Sequence, residues 1–285
     1  LSVAASEISG VTGNNGIFNI APGARIPDSD IGYRKYQNFN LDKGDIANLI
    51  YKYGNHDIET FVNLVDNKIN INGIVNSVRD GNFYNGKAVF VSPNGMVVGA
   101  SGVLNVGSLS VTTPNVETYQ YYKSNPKADL SELYKNTNNS NVSIGGKIIA
   151  TNNIDITSGN INIAGKTLAG TGNSSSITDN NQAEILFNNL VNTDNIHSAN
   201  NFSNTKGNIS IISGTGTNIS GSLRNIGHGN TFINNKGENG IIISGEAINN
   251  NGNSILENNN GNIVISGHLK NENGQLNIKN DGNHI

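Results

Sequence analysis

The chain has 285 residues, of which 14% are charged, and its formal net charge at pH 7 is −3. A chain of this size forms one large domain or two ordinary ones, and it lacks the basic surface that nucleic acid or an anionic membrane requires. It contains no Cys, which excludes a disulfide framework and a cysteine-ligated metal site, and no run of about 18 apolar residues that could span a bilayer as a helix.

Asparagine and glycine dominate the composition, with 56 Asn and 34 Gly. Both residue types are poor helix formers, and both tolerate the positive φ angles of tight turns. Disorder is the alternative for such a polar chain, but Ile, Val and Leu recur at every second position, as in half-buried strands. The composition therefore predicts an all-β fold of many short strands joined by turns.

The N-terminal part of the chain divides into two segments. Residues 1–41 show short strand patterns that break at Gly13–Gly16 and Pro22–Gly23, and they are predicted to form a cap and the first windings. Residues 42–67 interrupt the pattern and are predicted to be an insertion, in which Asp45–Ile50 favours a helical turn. 

The central part returns to a dense β pattern and then leaves it again. His56–Asp66 fits either the same insertion or a strand, and residues 69–113 are predicted to be core windings. Residues 115–141 differ, because tyrosines precede a proline and Asp129–Tyr134 is typical of a short helix. We expect this segment to be an excursion from the stacked windings.

The C-terminal half contains an internal repeat. Residues 142–285 are predicted to be regular windings, interrupted over 167–206 by a polar loop region, and Ile-Ser-Gly recurs at Ile219–Gly221, Ile243–Gly245 and Ile265–Gly267. A unit of about 22 residues holds three short strands and three turns, which is one winding of a parallel β-helix. Stacking would align Ile and Val into a column and Asn amides into ladders. Leucine-rich repeats and propellers fit less well, and turns without Asp argue against a calcium-binding solenoid.

Two segments resemble a known family. Gly32–Leu41 contains an aromatic-Gln-x-Phe-Asn box, and Lys87–Val98 contains a Pro-Asn-Gly box. In this order and separation they resemble the N-terminal secretion domain, also called the haemagglutination-activity domain, of two-partner-secretion exoproteins of the filamentous haemagglutinin family. The second box departs from the family pattern at Ser92 and Met96, and only Asn63–Leu64 remains of the family's Asn-Pro-Asn-Leu motif.

The resemblance implies a fold and a function. The fold is a right-handed parallel β-helix with an N-terminal cap and extra-helical elements, as one domain over residues 1–285. The function is non-enzymatic: the domain targets a larger exoprotein, an adhesin, haemagglutinin, cytolysin or toxin, to the surface of a Gram-negative bacterium or beyond it. POTRA domains of an outer-membrane transporter recognise it in the periplasm. We expect a monomer without cofactor or metal, and Val3–Ala5 fits the tail of a cleaved signal peptide.

The same resemblance nominates residues for transporter recognition or for nucleation of folding. They are the residues of the two boxes: Arg34, Lys35, Tyr36, Gln37, Phe39, Asn40, Pro93, Asn94 and Gly95. Each has a structural alternative. Pro93–Gly95 suits a type I or type II turn, Tyr36 and Phe39 suit packing in the cap, and Arg34 and Lys35 suit a solvated surface.

A second set of residues is a candidate adhesive patch. Tyr119, Tyr121 and Tyr122 could contact a host glycan or a host protein, which would make this chain itself an adhesin. The alternative is an extra hairpin that packs these rings onto the wall of the windings.

An enzyme is the remaining alternative, because parallel β-helices also occur as polysaccharide lyases and hydrolases. Such an enzyme needs clustered carboxylates for calcium binding or for acid and base catalysis. The nearest approach to a cluster is Asp155, Asp179, Glu184 and Asp194, which are scattered over turns and loops. The five histidines also lack the spacing that is typical of a metal site.

Overall fold

The computed structural model describes residues 5–192 and 206–285, so Val3, Ala4, Asp194 and His197 lie outside the described residues. Within those ranges the chain has 29 strands, two α-helices and one 3₁₀ helix. The prediction of an all-β fold is confirmed. Most strand pairs are parallel, which requires each strand to pair with strands that are distant in sequence.

The elements of the first part, in chain order, are β1 (Glu7–Ile8), β2 (Ile17–Ile20), β3 (Ala24–Arg25), β4 (Ile31–Tyr36), β5 (Phe39–Leu41), β6 (Ile46–Ile50), β7 (Lys52–Tyr53), β8 (His56–Asp57), β9 (Thr60–Val65) and β10 (Ile69–Ile71). The next are β11 (Ile74–Arg79), β12 (Asn82–Phe83), β13 (Lys87–Val91), β14 (Met96–Val98), β15 (Val103–Val106), β16 (Ser108–Thr112), α1 (Val116–Ser124), the 3₁₀ helix (Leu130–Tyr134), β17 (Asn141–Ile144), β18 (Lys147–Ala150), β19 (Ile154–Ile163), β20 (Lys166–Ala169) and α2 (Asn180–Asn192). The last are β21 (Ile209–Ile219), β22 (Ser222–Asn225), β23 (Thr231–Asn235), β24 (Gly240–Ile243), β25 (Glu246–Asn251), β26 (Ser254–Asn258), β27 (Ile263–Ile265), β28 (His268–Asn273) and β29 (Leu276–Asn280).

The strands form three parallel faces. The first face is β2-β6-β11-β15-β18-β20-β22-β25-β28. The second is β4-β9-β13-β16-β19-β21-β23-β26-β29, and the third is β5-β10-β14-β17-β19-β21-β24-β27. The long strands β19 and β21 belong to both the second and the third face. The described chain therefore visits the first face nine times, and we number these circuits as windings one to nine. The arrangement is β-helix-like.

The register places like residues above one another. In the third face, Ile219 of β21 pairs with Ile243 of β24, which pairs with Ile265 of β27. The Ile-Ser-Gly repeats of the sequence therefore occupy the same position in successive windings. Ile219 and Ile243 are fully buried, and each buried side chain of this size contributes about 1.5–3 kcal/mol of hydrophobic stabilisation. One continuous apolar core results.

Asparagine ladders join the windings as well. In the second face, the Nδ2 of Asn235 donates to the Oδ1 of Asn258 over 2.9 Å, and the Nδ2 of Asn258 donates to the Oδ1 of Asn280 over 3.1 Å. Asn235 and Asn258 are fully buried. Such ladders satisfy amides that would otherwise lose their hydrogen bonds to water on burial.

The predicted insertion over 42–67 is wrong for most of its length. Asp45–Ile50 does not form a helical turn, because Ile46–Ile50 is strand β6 between β2 and β11 in the first face. Ala47 and Leu49 point into the core while Ile46, Asn48 and Ile50 point outward, which is the period of a strand. Only the hairpin of β7 and β8 leaves the winding, and β9 lies in the second face.

Two helical excursions leave the windings. The first runs between β16 and β17, within the predicted excursion over 115–141, and carries α1 and the 3₁₀ helix. The short helix predicted over Asp129–Tyr134 is confirmed as the 3₁₀ helix, whereas the alternative of an extra hairpin is wrong. The second runs between β20 and β21 and carries α2 where a polar loop was predicted, and residues 193–205 of that predicted loop lie outside the described residues. Ala183, Phe187 and Leu190 are the buried face of α2, at a spacing of four and three residues. Neither α1 nor α2, nor the 3₁₀ helix, is long and apolar enough to cross a membrane.

Candidate functional site

The two boxes of the sequence meet in the core of windings one to three. The first box forms β4 and β5, and the second forms β13, the turn after it and β14. The ring of Phe39 lies edge-on to Tyr36, with centroids 5.3 Å apart, and edge-on to Phe90 of β13, with centroids 5.6 Å apart. All three rings are buried. Tyr36 and Phe39 therefore pack in the core, and such edge-to-face pairs add about 0.5–1.5 kcal/mol each to their area burial.

A buried asparagine joins the two boxes. The Tyr36 hydroxyl donates to the Oδ1 of Asn63 over 2.6 Å, and the Nδ2 of Asn63 donates to the carbonyl of Val89 in β13 over 3.2 Å. Burial raises the pKa of the Tyr36 hydroxyl well above its usual range, while the charge of Arg34 opposes the rise. The hydroxyl is therefore a permanent donor. The sequence identified Asn63 only as part of a remnant of the Asn-Pro-Asn-Leu motif. It did not predict that this side chain would link Tyr36 to β13.

The Pro-Asn-Gly box forms a tight turn. The Gly95 amide donates to the carbonyl of Ser92 over 3.3 Å, and the Asn94 amide donates to the Ser92 hydroxyl over 3.2 Å. Asn94 is not one of the non-glycine residues with positive φ in the described chain, so the turn is type I rather than type II. The Pro93 carbonyl accepts a hydrogen bond from the side chain of Asn138 over 3.0 Å. The turn is thereby tied to the following winding.

Exposed amides line the corner at which these turns lie. We call Gln37, Asn38, Asn67 and Asn94 the amide corner. The Nδ2 of Asn67 donates to the Oδ1 of Asn38 over 2.8 Å, and the Nδ2 of Asn94 donates to the Asp66 carbonyl over 2.8 Å. Gln37, Asn67 and Asn94 are exposed. The corner offers uncharged donors and acceptors from three successive windings, a set suited to binding through hydrogen bonds.

Helix α1 is anchored beside this corner. The carboxylate of Asp66 accepts hydrogen bonds from the Tyr119 hydroxyl and from the Lys123 ammonium group, each over 2.8 Å. The helix begins after Asn115, whose side chain caps it by accepting from the Thr118 amide over 2.8 Å. Burial raises the pKa of Tyr119 well above its usual range, and its bond to Asp66 adds to the rise. Asp66 therefore links the corner to the first excursion.

The three tyrosines of this excursion do not form one exposed patch. Tyr119 and Tyr122 are buried, and only Tyr121 is exposed, at 64%. Tyr122 packs in an apolar cluster with outward-facing residues of β9 and β13, namely Val62, Leu64, Val89 and Val91. Burial raises the pKa of Tyr122 to about 12. Tyr119 and Tyr122 cover an apolar patch on the second face, so the prediction of one adhesive patch made of all three tyrosines is wrong.

The other residues of the first box have separate roles. The guanidinium of Arg34 donates to the carbonyls of two cap residues over 3.0 Å each, so it holds the cap on β4. The Lys35 side chain is exposed and lies above the Tyr33 ring, 5.9 Å from its centroid. The Oδ1 of Asn40 accepts from the Nδ2 of Asn70 over 2.9 Å in another ladder. Only Lys35 presents a free charge toward solvent from this box.

The carboxylates considered for an enzyme are not brought together. Asp179 caps α2 by accepting from the Gln182 amide over 2.8 Å, and Glu184 on α2 pairs with Lys147 over 2.7 Å. The bond and charge of Lys147 hold the pKa of Glu184 below its usual range. In the described ranges, no group of three or more His, Asp or Glu side chains could hold a metal ion.

Asp155 is a partly buried carboxylate whose titration should be measurable. Burial raises its pKa, against the hydrogen bond from the Ser110 hydroxyl, 2.7 Å long, and the charge of Lys87. The raised pKa means that the folded chain binds this proton more tightly than the unfolded chain. Protonation of Asp155 therefore stabilises the folded chain fully below the unfolded pKa of about 3.9. This stabilisation is lost as the pH rises through the pKa of Asp155 in the folded chain.

Asp155→Asn should thus be more stable than the wild type near neutral pH, since the amide carries no charge and still accepts the Ser110 bond. The difference should close as pH falls toward about 4. Thermal denaturation of both proteins across this pH range measures it. A wild type that is more stable than the variant near neutral pH would contradict the assignment.

The chain has no match among family models or curated proteins, but it aligns with a solved structure. A scan against protein-family models finds no match, and a search of curated proteins finds none either. Among solved structures, the crystal structure of a filamentous hemagglutinin secretion domain aligns over 98% of this chain and 98% of that chain, with 11% identity and a TM-score of 0.34.

Proposed function

We propose that this chain is the secretion domain of a larger exoprotein, and that its stacked windings form a right-handed parallel β-helix. In this proposal, POTRA domains of an outer-membrane transporter recognise the chain in the periplasm of a Gram-negative bacterium. The exoprotein is an adhesin, haemagglutinin or toxin that folds at the cell surface. The observation that supports the proposal is that the two boxes of the sequence resemblance, far apart in the chain, share one aromatic core and one exposed corner.

We assign transporter recognition to the exposed amide corner and nucleation of folding to the buried aromatic rings beside it. The exposed amides of Gln37, Asn67 and Asn94 are the groups proposed to bind the transporter, since they project from three windings at one edge. The buried rings of Tyr36 and Phe39 are proposed to nucleate folding, because they fix the first and third windings to each other. Later windings then add to this nucleus one at a time, as in other stacked repeats.

The test is capture by the POTRA domains of the transporter that is encoded beside the gene for this chain. We expect the wild type to be retained, and the triple variant Gln37→Ala, Asn67→Ala, Asn94→Ala to bind about tenfold or more weakly, because each lost hydrogen bond contributes about 0.5–1.5 kcal/mol. All three side chains are exposed, so the variant should keep its fold, which circular dichroism and thermal denaturation check.

The matched control removes three exposed amides from later windings, with Asn218→Ala, Asn239→Ala and Asn277→Ala. This variant should bind like the wild type. Equal losses in both triple variants would reject the amide corner as the binding surface. A wild type that is not captured, either folded or denatured, would reject the secretion role itself.

A further inference from the structure

An asparagine ladder runs along the outside of the first face, away from the amide corner. The Nδ2 of Asn48 donates to the Oδ1 of Asn19 over 3.1 Å, that of Asn76 to Asn48 over 3.5 Å, and that of Asn105 to Asn76 over 2.9 Å. Each ladder bond uses one of the two N–H groups of one amide and one of the two lone pairs on the oxygen of the next amide. Asn48 and Asn76, in the middle of the ladder, each have one N–H and one lone pair that the ladder does not use.

In windings three and four, Asn76 and Asn105 bond a segment of the chain itself. We call residues 173–178 the strap. The Nδ2 of Asn76 donates to the carbonyl of Ile177 over 2.8 Å, and the amide of Ile177 donates to the Oδ1 of Asn76 over 3.1 Å. Asn76 thus bonds the strap backbone as a neighbouring strand would, and it uses all four of its hydrogen-bonding positions. It is 1% exposed.

The next ladder member repeats the contact one winding later. The Nδ2 of Asn105 donates to the carbonyl of Ser175 over 2.8 Å, and its Oδ1 accepts from the Ser174 hydroxyl over 2.7 Å. Between the strap residues, Ile177 packs in an apolar cluster with Ile74 and Val103, which flank the ladder on the outer wall. The strap therefore binds through backbone bonds to ladder amides and through one aliphatic side chain, two residues per winding.

The strap ends before the ladder does. The chain turns into α2 at Asn180, whose side chain donates to the Ser101 carbonyl over 2.8 Å. At the end of the strap, the outer wall of windings one to three carries a cavity of about 390 Å³, whose lining includes Asn19, Asn48, Ile17, Ile46 and Ile50 and, from the strap itself, Thr178. Ile17 is 40% exposed. The register that stacks Asn76 on Asn48 and Asn19 also stacks Ile74 on Ile46 and Ile17.

We propose that this wall binds an extended peptide segment of a second protein, which continues the line of the strap over Asn48 and Asn19. The two amides bond its backbone as Asn76 bonds Ile177, and an aliphatic side chain packs on Ile46 and Ile17 as Ile177 packs on Ile74. The site selects an extended backbone with small polar residues around one aliphatic residue, as in Ser175–Thr178. It lies on a different face from the amide corner, and it does not depend on the secretion role.

The probe is an acetylated and amidated hexapeptide with the strap sequence, Asn-Ser-Ser-Ser-Ile-Thr, titrated into the full chain. Methyl NMR spectra of the isoleucines report binding, and we expect saturable shifts at Ile17, Ile46 and Ile50. Asn48→Ala should weaken binding about tenfold, since it removes both backbone bonds in winding two. The matched control is Asn70→Ala, another ladder asparagine of winding two but on the third face, which should leave the affinity unchanged.

A second peptide keeps the test independent of protein stability. Methylation of the isoleucine amide nitrogen removes the N–H that the Oδ1 of Asn48 would accept, and we expect this peptide to bind about tenfold more weakly. Equal binding of both peptides, or equal binding to Asn48→Ala and the wild type, would overturn the proposal. So would shifts confined to Ile74 and Ile177, which indicate displacement of the strap, or shifts that depend only on protein concentration, which indicate a second copy of the chain.

Discussion

Gly95→Ala should destabilise the chain by about 3 kcal/mol or more, because two penalties add at this position. Gly95 has φ +93°, in the left-handed region that costs residues with a side chain about 1–2 kcal/mol. A Cβ at Gly95 would also lie 2.4 Å from the carbonyl oxygen of Asn141. That atom belongs to the backbone of β17, so it cannot move without disturbing winding four.

Gly44→Ala is the matched control. Gly44 has φ +87°, and no atom lies within 4 Å of the Cβ that alanine would add. This variant should show only the conformational cost of about 1–2 kcal/mol. Urea denaturation followed by circular dichroism compares the two variants with the wild type. If both lose the same stability, the close approach of the Pro-Asn-Gly turn to winding four is wrong.

Asn235→Leu should lower the free energy of unfolding by about 3 kcal/mol or more, because a buried polar group left without a partner costs about 1–3 kcal/mol. The Asn235 side chain accepts from the Gly237 amide over 3.1 Å and the Ser213 hydroxyl over 2.9 Å. It donates to the Gly237 carbonyl over 2.7 Å and to Asn258 over 2.9 Å. Leucine has a similar size and replaces none of these bonds.

The control for this variant is Asn67→Leu, which breaks a ladder bond at an exposed position. The Nδ2 of Asn67 donates to Asn38 over 2.8 Å, but water can replace that bond. We expect a change within about 0.5 kcal/mol, as for most surface substitutions. Chemical denaturation measures both variants under the same conditions. A loss at Asn235 no larger than that at Asn67 would show that the buried ladder does not hold the windings together.

The repeat allowed the stacking to be predicted from the sequence. Ile241 and Ile243 pair with Ile263 and Ile265, 22 residues later, and the alternation of Ile with polar residues already indicated which side chains face the core. The Asn ladders were also foreseen, since residues that recur once per winding must lie above one another. These predictions succeeded because they depend only on a nearly constant repeat, with Ile219, Ile243 and Ile265 spaced 24 and 22 residues apart.

The errors fall in two segments whose hydrophobic pattern conceals the period of the element. Strand β6 was misread because Ile46 and Ile50 point outward, next to inward Ala47 and Leu49, so apolar residues occupy both faces. Helix α2 was missed although its signals are present, with the Asp179 cap followed by Ala183 and Phe187 on one side. Its many asparagines, which are poor helix formers, concealed the period.

The contacts that form the candidate sites could not be predicted from local patterns. Asn76 and Ile177 are 101 residues apart, and their pairing depends on the path of the second excursion. Predicting the contact of Asn63 with Tyr36 requires the exact winding in which each residue lies, and Asn63 is itself part of the misread segment over 42–67. The resemblance pointed to the two boxes but not to the residues that they contact.

The two helical excursions divide the molecule into parts that should respond differently to tension. The first excursion packs on the second face over Ile31, Val62 and Val89, from winding one to three, and α2 packs on the first face over Ile74 and Ile226, from winding three to seven. In the part of the chain that is described, windings eight and nine have no such brace. Force applied at the C-terminal side would therefore peel off these two windings singly at low load, and then meet a braced block that ruptures in one larger event.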